Sequence, residues 1–260
     1  MNEPLICSVG TTEPWNVAGL GLDIRALAAC GARAVCVVAG VSAQDRNGVR
    51  AASPIAPDLI AAQFAALGSA PIAAVRIGAL LDAASVAAVT AALKARGGVV
   101  SRAAPVVYDP VFAASAGGTF ASDATVAAIL ADLIPLVTVV TPNLNEAARF
   151  ADVEPADATP DAMARWGRGL VAAGAQSALV TGGHLAGDPV DVLSDAAGDV
   201  RYTAPRLPGE LRGTGCLLAC ALAAGLARGE PLRDAIVAAR TFVRLRFCAA
   251  IDIAGMRAAY

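Results

Sequence analysis

Histidine, aromatic residues and net charge are all scarce in this chain. Its 260 residues include one histidine, His184, and aromatic residues make up 4%. A multi-histidine metal site is impossible and a Ser-His-Asp triad would depend on that one side chain, so we disfavour zinc enzymes and triad hydrolases and expect a structural role for His184. The 20 Lys and Arg nearly balance the 22 Asp and Glu, with no long basic run. This argues against a nucleic-acid partner, and we expect a small-molecule ligand.

Signals for export, membrane insertion and disulfide bonding are also lacking. The stretch MNEPLICSVG has no positive segment followed by a long apolar one, and other apolar runs are alanine-rich and broken by Gly, Pro or charge. The six cysteines show neither CxxC spacing nor the density of a small secreted scaffold. We therefore expect a cytoplasmic protein without a membrane partner, in which most thiols are small core side chains.

Short β-branched runs alternate with longer alanine-rich helical stretches, as in PLICSVG followed by GLGLDIRALAACG. Strands that each precede a helix pair in parallel and place helices on both faces of the sheet. Later, DPVDVLSD and DVRYTAPRL indicate an antiparallel addition, and two helices close the chain. The sequence predicts a three-layer α/β/α sandwich with a mostly parallel central sheet, in a single domain over residues 1–260.

Polar residues and glycines follow the predicted strands. These polar ends begin at Gly10, Ser42, Arg76, Asp109, Thr141 and Thr181. In an open parallel sheet, ligands bind outside the carboxyl ends of the strands. We therefore expect one shared ligand site at this edge.

The stretch RGTGCLLACALAAGLARG predicts a tight loop that enters a buried helix. The first N–H groups of a helix lack internal partners and lie at its positive end, so Gly213, Thr214, Gly215 and Cys216 are suited to holding a phosphate. The alternative is that the glycines serve close packing only. There is no GxxxxGK[ST] loop and no GxGxxG after the first strand, so a bound nucleotide would be held by other means.

In TPNLNEA, Asn143 and Glu146 are three residues apart and share one face at a helix start. They are positioned to hold water around a Mg²⁺ ion near phosphates. Reciprocal capping of the helix explains the same spacing.

Together these stretches resemble the ribokinase-like superfamily, and within it the hydroxymethylpyrimidine/phosphomethylpyrimidine kinases of thiamine synthesis. The resemblance covers nearly the whole chain, and its most specific part is the GTGC helix start, where related sugar kinases have Asp in place of Cys216. It implies a phosphotransferase that uses ATP and Mg²⁺ to phosphorylate 4-amino-5-hydroxymethyl-2-methylpyrimidine or its monophosphate. It also suggests a homodimer.

The resemblance further implies roles for individual residues. The catalytic anion hole around the transferred phosphoryl group is formed by Gly213, Thr214, Gly215 and Cys216. The residues implied in substrate binding are Gln44, Asp23 and Gly10. The residues implied in binding the nucleotide and its phosphates are Thr181, Gly183, Asn143 and Arg212. The residues implied in holding the metal are Asp109 and Glu146.

Two of these assignments have alternatives in the residues themselves. With cysteine in place of the sugar-kinase aspartate, position 216 carries no carboxylate that would repel an anionic phosphomonoester acceptor. The thiol lies at a helix start, so it could have a lowered pKa and act as a weak base. A small packing residue is the alternative. Asp23 is equally explained as a surface residue that stabilises a helix dipole.

The chain departs from the family pattern in the loop after the first strand. Where relatives resemble GSDSGGGAGIQAD, this chain has TTEPWNVAGLGLD, so Trp15 either walls a flat heterocycle or covers apolar surface. The family lysine of K(I/T)GML is Arg76 here and its methionine is Ala79, so Arg76 or Arg212 would supply positive charge near the phosphates. A pyridoxal or pyridoxine kinase, or a catalytically impaired pyrimidine-binding homologue, are the alternative functions.

Overall fold

The computed structural model of the chain describes residues 3–95, 103–113 and 118–259. The strands are β1 (Leu5–Thr12), β2 (Arg33–Asp45), β3 (Gly48–Pro54), β4 (Ile72–Ile77), β5 (Val106–Tyr108), β6 (Val139–Val140), β7 (Ser177–Val180), β8 (Val190–Asp195), β9 (Gly198–Thr203), β10 (Ile251–Ile253) and β11 (Met256–Ala258). The α-helices are α1 (Gly19–Ala29), α2 (Pro57–Ala66), α3 (Ala83–Lys94), α4 (Asp123–Ala128), α5 (Leu144–Phe150), α6 (Pro160–Ala172), α7 (Thr214–Ala227) and α8 (Leu232–Cys248).

The central sheet has nine strands in the order β3-β2-β1-β4-β5-β6-β7-β8-β9. The six strands from β2 to β7 in this order pair in parallel. Antiparallel pairs lie at both edges, where β3 joins β2 and where β8 and β9 follow β7. This confirms the predicted mostly parallel sheet and the antiparallel addition after β7.

Helices cover both faces of the sheet. Side chains of α2, α3 and α4 share one apolar cluster with strand residues, and side chains of α1, α7 and α8 share another. Helix α7 is apolar on all sides because it lies between α1, α8 and the sheet, so residues 216–225 are buried. The three-layer α/β/α sandwich is confirmed, with α7 in its interior and its N-terminus at the sheet edge.

Two hairpins were not anticipated from the sequence. One is β2–β3, which extends the sheet beyond β2, and the other is the separate pair β10–β11 near the C-terminus. The expectation that two helices close the chain is therefore wrong, because β10 and β11 follow α8. Among the helices of the described ranges, none has both the length and the apolar character needed to cross a membrane.

Candidate active site at the carboxyl edge of the sheet

The residues that follow the parallel strands lie side by side at one edge of the sheet. The backbone N–H groups of Gly78, Asp109, Thr141 and Thr181 each donate to a carbonyl of the neighbouring strand or strand end, at 2.8–2.9 Å. A β-carbon at Gly10 would lie 3.7 Å from Cα of Gly78. The edge that the sequence predicted as a ligand site is therefore one continuous rim.

Helix α7 points its N-terminus at this rim. Gly213 has φ +79°, and a β-carbon there would lie 2.6 Å from the carbonyl oxygen of Val17, so the position requires glycine. The N-cap residue Gly213 has no side chain to cap α7, and the N–H groups of Thr214 and Gly215, in the first turn, have no intrahelical partner. A β-carbon at Gly215 would lie 3.1 Å from Oδ1 of Asp109. The structure thus places an uncapped helix start directly beside a carboxylate.

A buried ion-pair network lies beneath this helix start. Arg76 donates to Asp23 at 2.9 Å and to Asp109 at 2.6 Å, and the three side chains are 1%, 0% and 6% exposed. Ser8 and Cys220 donate to Asp23 at 2.7 and 3.3 Å. The interpretation of Asp23 as a surface residue is therefore wrong. Among the described residues Asp23 is hydrogen-bonded to Arg76, Ser8 and Cys220, and its binding to substrate stays a prediction.

Burial governs the titration of this network. Burial raises the pKa of Asp23 and of Asp109, while the Arg76 charge lowers both. Burial also disfavours the charge on Arg76, but the adjacent carboxylates outweigh it and hold its pKa well above the usual value. Arg76 is therefore charged and paired with two carboxylates beneath α7, although its Nε finds no hydrogen-bond partner among the described residues. The side chain is enclosed rather than facing the rim.

Cys216 belongs to the same network. It is 8% exposed, and the charges of Arg76 and Asp109 both act on its thiol. Burial raises the pKa of the Cys216 thiol to about 12, and the lowering effect of Arg76 is smaller. The expectation of a lowered pKa is wrong, because burial outweighs the positive end of the helix. Cys216 is a neutral thiol near neutral pH.

Asn143 and Glu146 form a capping box at the start of α5. The N–H of Asn143 donates to Oε2 of Glu146 at 2.8 Å, and the N–H of Glu146 donates to Oδ1 of Asn143 at 3.1 Å. The capping interpretation is confirmed. Burial, and next the Asp109 charge, raise the pKa of Glu146 well above its usual value. Glu146 thus lies within electrostatic reach of Asp109, and the metal role of both stays a prediction.

The loop after β7 is held by two residues that the sequence analysis missed. The N–H of Gly182 donates to Oδ1 of Asp191 at 2.9 Å, and Arg206 donates to the carbonyl of Gly183 at 2.9 Å. His184 is exposed on this loop. The sequence does contain a signal for Asp191, which stands inside the apolar strand VDVL. A carboxylate buried in such a strand needs polar partners. The nucleotide role of Thr181 and Gly183 stays a prediction.

Arg212 joins the start of α7 to the β2–β3 hairpin. Its guanidinium donates to the carbonyl oxygens of Asp45 and Arg46, both at 3.0 Å, and contacts the sulfur of Met256 at 3.3 Å. Gln44 is half-buried in the same hairpin. The hairpin that carries Gln44 is therefore hydrogen-bonded to Arg212, which lies just before the start of α7. The predicted contact of Arg212 with phosphates stays a prediction.

Comparison with known proteins identifies the family that this sequence is similar to. A family model described as phosphomethylpyrimidine kinase matches residues 14–257. The hydroxymethylpyrimidine/phosphomethylpyrimidine kinase of Streptomyces coelicolor is 33% identical over 97% of this chain and 91% of its own length. The bifunctional thiamine biosynthesis protein of Geobacter sulfurreducens is 34% identical over 92% of this chain and 48% of its own length.

A solved structure shows the same fold. The pyridoxal kinase of Staphylococcus aureus in complex with AMP-PCP and pyridoxal superposes with a TM-score of 0.86 at 20% identity, covering 99% of this chain and 93% of that one. The predicted ribokinase-like fold is confirmed. Family membership rests on the match along almost the entire chain. This chain belongs to the phosphomethylpyrimidine kinase family.

Proposed function

We propose that this chain transfers the γ-phosphoryl group of ATP to 4-amino-5-hydroxymethyl-2-methylpyrimidine, to its monophosphate, or to both, in thiamine biosynthesis. The observation that carries the proposal is the uncapped start of α7 beside Asp109 at the sheet edge, in a chain of this family. Relatives named for this kinase activity, and one named for thiamine biosynthesis, support the substrate class.

The backbone of α7 supplies the main stabilisation in this proposal. Phosphoryl transfer passes through a largely dissociative transition state with its charge on the equatorial oxygens, so positioned N–H donors do most of the work. The N–H groups of residues 214–216 would hold these oxygens. A phosphomonoester acceptor is already anionic and needs no base, which suits the neutral Cys216 thiol.

The carboxylates of Asp109 and Glu146 are suited to a Mg²⁺ ion whose other ligands are mostly water and phosphate. Bound Mg²⁺ would neutralise charge on the transferred phosphoryl group. In the described part of the chain no group of three or more His, Cys, Asp or Glu side chains is arranged to hold a metal. Phosphate-bound Mg²⁺ needs only one or two carboxylates, and Asp109 with Glu146 would supply them.

Glu146→Gln separates the capping role of this residue from a metal role. Glutamine is also a capping-box residue, so the melting temperature should stay near that of the wild type. If Glu146 also holds metal, half-saturation with Mg²⁺ should rise at least about tenfold, as expected when an anionic ligand is lost. Magnesium titrations of the ATP-dependent rate measure this, and an unchanged magnesium requirement would leave Glu146 a cap only.

Gln44 would select the acceptor ring. Its carboxamide offers one donor and one acceptor, which match the pair presented by an aminopyrimidine. Ala79, where the family has methionine, leaves room for a larger ring substituent. The pyridoxal kinase is similar in fold at 20% identity, so preference among flat heterocycles is tested directly.

A coupled ADP-release assay tests the proposal with Mg-ATP against the pyrimidine alcohol, its monophosphate and pyridoxal. We expect the highest kcat/KM on a pyrimidine. Preference for pyridoxal would make the chain a vitamin B6 kinase. Absence of turnover on all three, with pyrimidine binding detected by calorimetry, would indicate a binding protein.

We also propose a cytoplasmic homodimer with one kinase domain over residues 1–260 and no nucleic-acid or membrane partner. The near balance of 20 basic and 22 acidic residues supports the absence of a nucleic-acid partner. Size-exclusion chromatography with light scattering tests the dimer.

A further inference from the structure

The loop between β1 and α1, residues 13–18, is organised around one carboxylate. Glu13 is 5% exposed and accepts hydrogen bonds from three backbone N–H groups: Trp15 at 2.6 Å, Val17 at 2.5 Å and Ala18 at 3.1 Å. All three donors precede Gly19, the first residue of α1, and Ala18 is its N-cap residue, so the carboxylate lies near the positive end of that helix. The loop backbone is thus held by the carboxylate of Glu13, one of its own residues.

This loop lies between the two parts of the proposed site. On one side, the carbonyl of Val17 packs against Gly213, at the start of α7. On the other side, the carbonyl of Thr12, directly before the loop, accepts from Ser42 of β2 at 3.5 Å, two residues from Gln44. An acceptor that contacts both Gln44 and the α7 start must therefore lie along this loop.

Pro14, Trp15 and Asn16 are the exposed residues of the loop, and Trp15 is the aromatic one. It is 38% exposed, whereas Val17 is 2% exposed and packs with the β10–β11 hairpin. Tryptophan offers a flat apolar face suited to stacking on a heterocycle. The hydrogen bond from the Trp15 N–H to Glu13 fixes the backbone that carries this ring.

We propose that Glu13 is a positioning residue that sets acceptor affinity by holding loop 13–18, and with it Trp15, in its binding conformation before the acceptor arrives. The proposal rests on the proposed kinase function. A loop ordered in advance removes an ordering cost from binding, so the effect falls on the acceptor and not on ATP.

Glu13→Ala and Glu13→Gln test this, with Glu3→Gln as the matched control, because Glu3 forms an exposed ion pair with Arg33. We expect Glu13→Ala to raise KM for the acceptor at least about tenfold, as expected for lost charge-assisted hydrogen bonds, with KM for ATP changed less than about twofold. Glutamine keeps one acceptor oxygen, so Glu13→Gln should rescue part of the loss. Equal changes in both KM values, or no change in either, would overturn the proposal.

A second measurement does not depend on turnover. The chain has two tryptophans, so Trp166→Phe leaves Trp15 as the sole reporter. Acrylamide quenching of Trp15 should increase in Glu13→Ala and stay unchanged in Glu3→Gln. If Trp166→Phe fails to fold, the difference in quenching between parent proteins and their Trp15→Phe variants gives the same quantity. If quenching in Glu13→Ala is unchanged, the role of Glu13 is overturned, even when the protein is inactive on every acceptor. If quenching increases but the protein is inactive on every acceptor, only the kinase function is refuted.

Discussion

Replacing Arg76 by methionine removes the guanidinium that bridges Asp23 and Asp109. The guanidinium is 1% exposed and donates to the two carboxylates at 2.9 and 2.6 Å, and methionine fills part of its space without charge. Breaking a buried pair by removing one partner costs about 3–5 kcal/mol, because the remaining charge is left uncompensated. With roughly 2–4 °C of melting temperature lost per kcal/mol in a domain of this size, Arg76→Met should melt on the order of 10 °C below the wild type.

The sign of the pH dependence follows from the direction of the shifts. Burial raises the folded-state pKa of Asp23 and Asp109, and Arg76 opposes this, so its loss raises both further. A carboxyl group whose pKa is higher in the folded state binds more protons there, so stability falls as pH rises through the window between the unfolded and folded values. The deficit of Arg76→Met should therefore be largest at about pH 8 and shrink towards about pH 5.

Thermal melts followed by circular dichroism across this pH range measure both quantities. Arg76→Lys, which restores the lysine found in the family motif, supplies one ammonium group that cannot bridge two carboxylates as a fork, so it should melt between the other two proteins. A melting temperature for Arg76→Met within about 2 °C of the wild type at neutral pH, less than one kcal/mol, would refute the reasoning. A deficit that grows towards acid pH would refute it as well.

Three further substitutions test the site. Cys216→Ala should change kcat less than about threefold, a far smaller effect than the loss of a general base would cause. The reason is that a thiol with a pKa of about 12 does not act as a base at neutral pH. Steady-state rates, with a melting curve as control for folding, measure this. Gly215→Ala should lower kcat at least about 100-fold by displacing the donors beside Asp109, whereas Gly169→Ala, where a β-carbon meets nothing within 4 Å, should leave kcat unchanged. Asp191→Ala should raise KM for ATP and not for the acceptor, since it releases the N–H of Gly182, and equal effects on both would contradict this.

The sequence predicted the sheet because its signal is local. Runs such as PLICSVG and ARAVCVVAGVS alternate with alanine-rich helices, and β1 and β2 formed where this pattern placed them. The edge residues Asp109 and Thr181 could be placed on one rim because parallel strands end at the same side. Strands β5 and β6 are also short but lie in valine-rich runs that the pattern marks, whereas β10 (IDI) and β11 (MRA) lie in no such run, so this hairpin was not predicted.

The ion-pair network could not be predicted because its members are distant in sequence. Arg76 and Asp23 are 53 residues apart, and Cys220 is 197 residues from Asp23. Periodicity alone does not show that an arginine inside IAAVRIG is enclosed. The pKa of Cys216 was misjudged for the same reason, since a helix start predicts a lowered value and only the tertiary structure reveals the burial that raises it.

The two helix starts at the rim bear on how the phosphoryl group and the acceptor ring would be oriented in the site. The starts of α1 and α7 lie against each other, since the carbonyl oxygen of Val17, just before α1, would lie 2.6 Å from a β-carbon at Gly213. The N–H of Ala18, the N-cap residue of α1, donates to Glu13, whereas the N-cap residue of α7 is Gly213, which has no side chain. An anion beside Asp109 would therefore meet the first N–H groups of α7, and the loop next to it presents Trp15. In the proposed reaction this orients the phosphoryl group towards residues 213–216 and the acceptor ring towards the hairpin that carries Gln44.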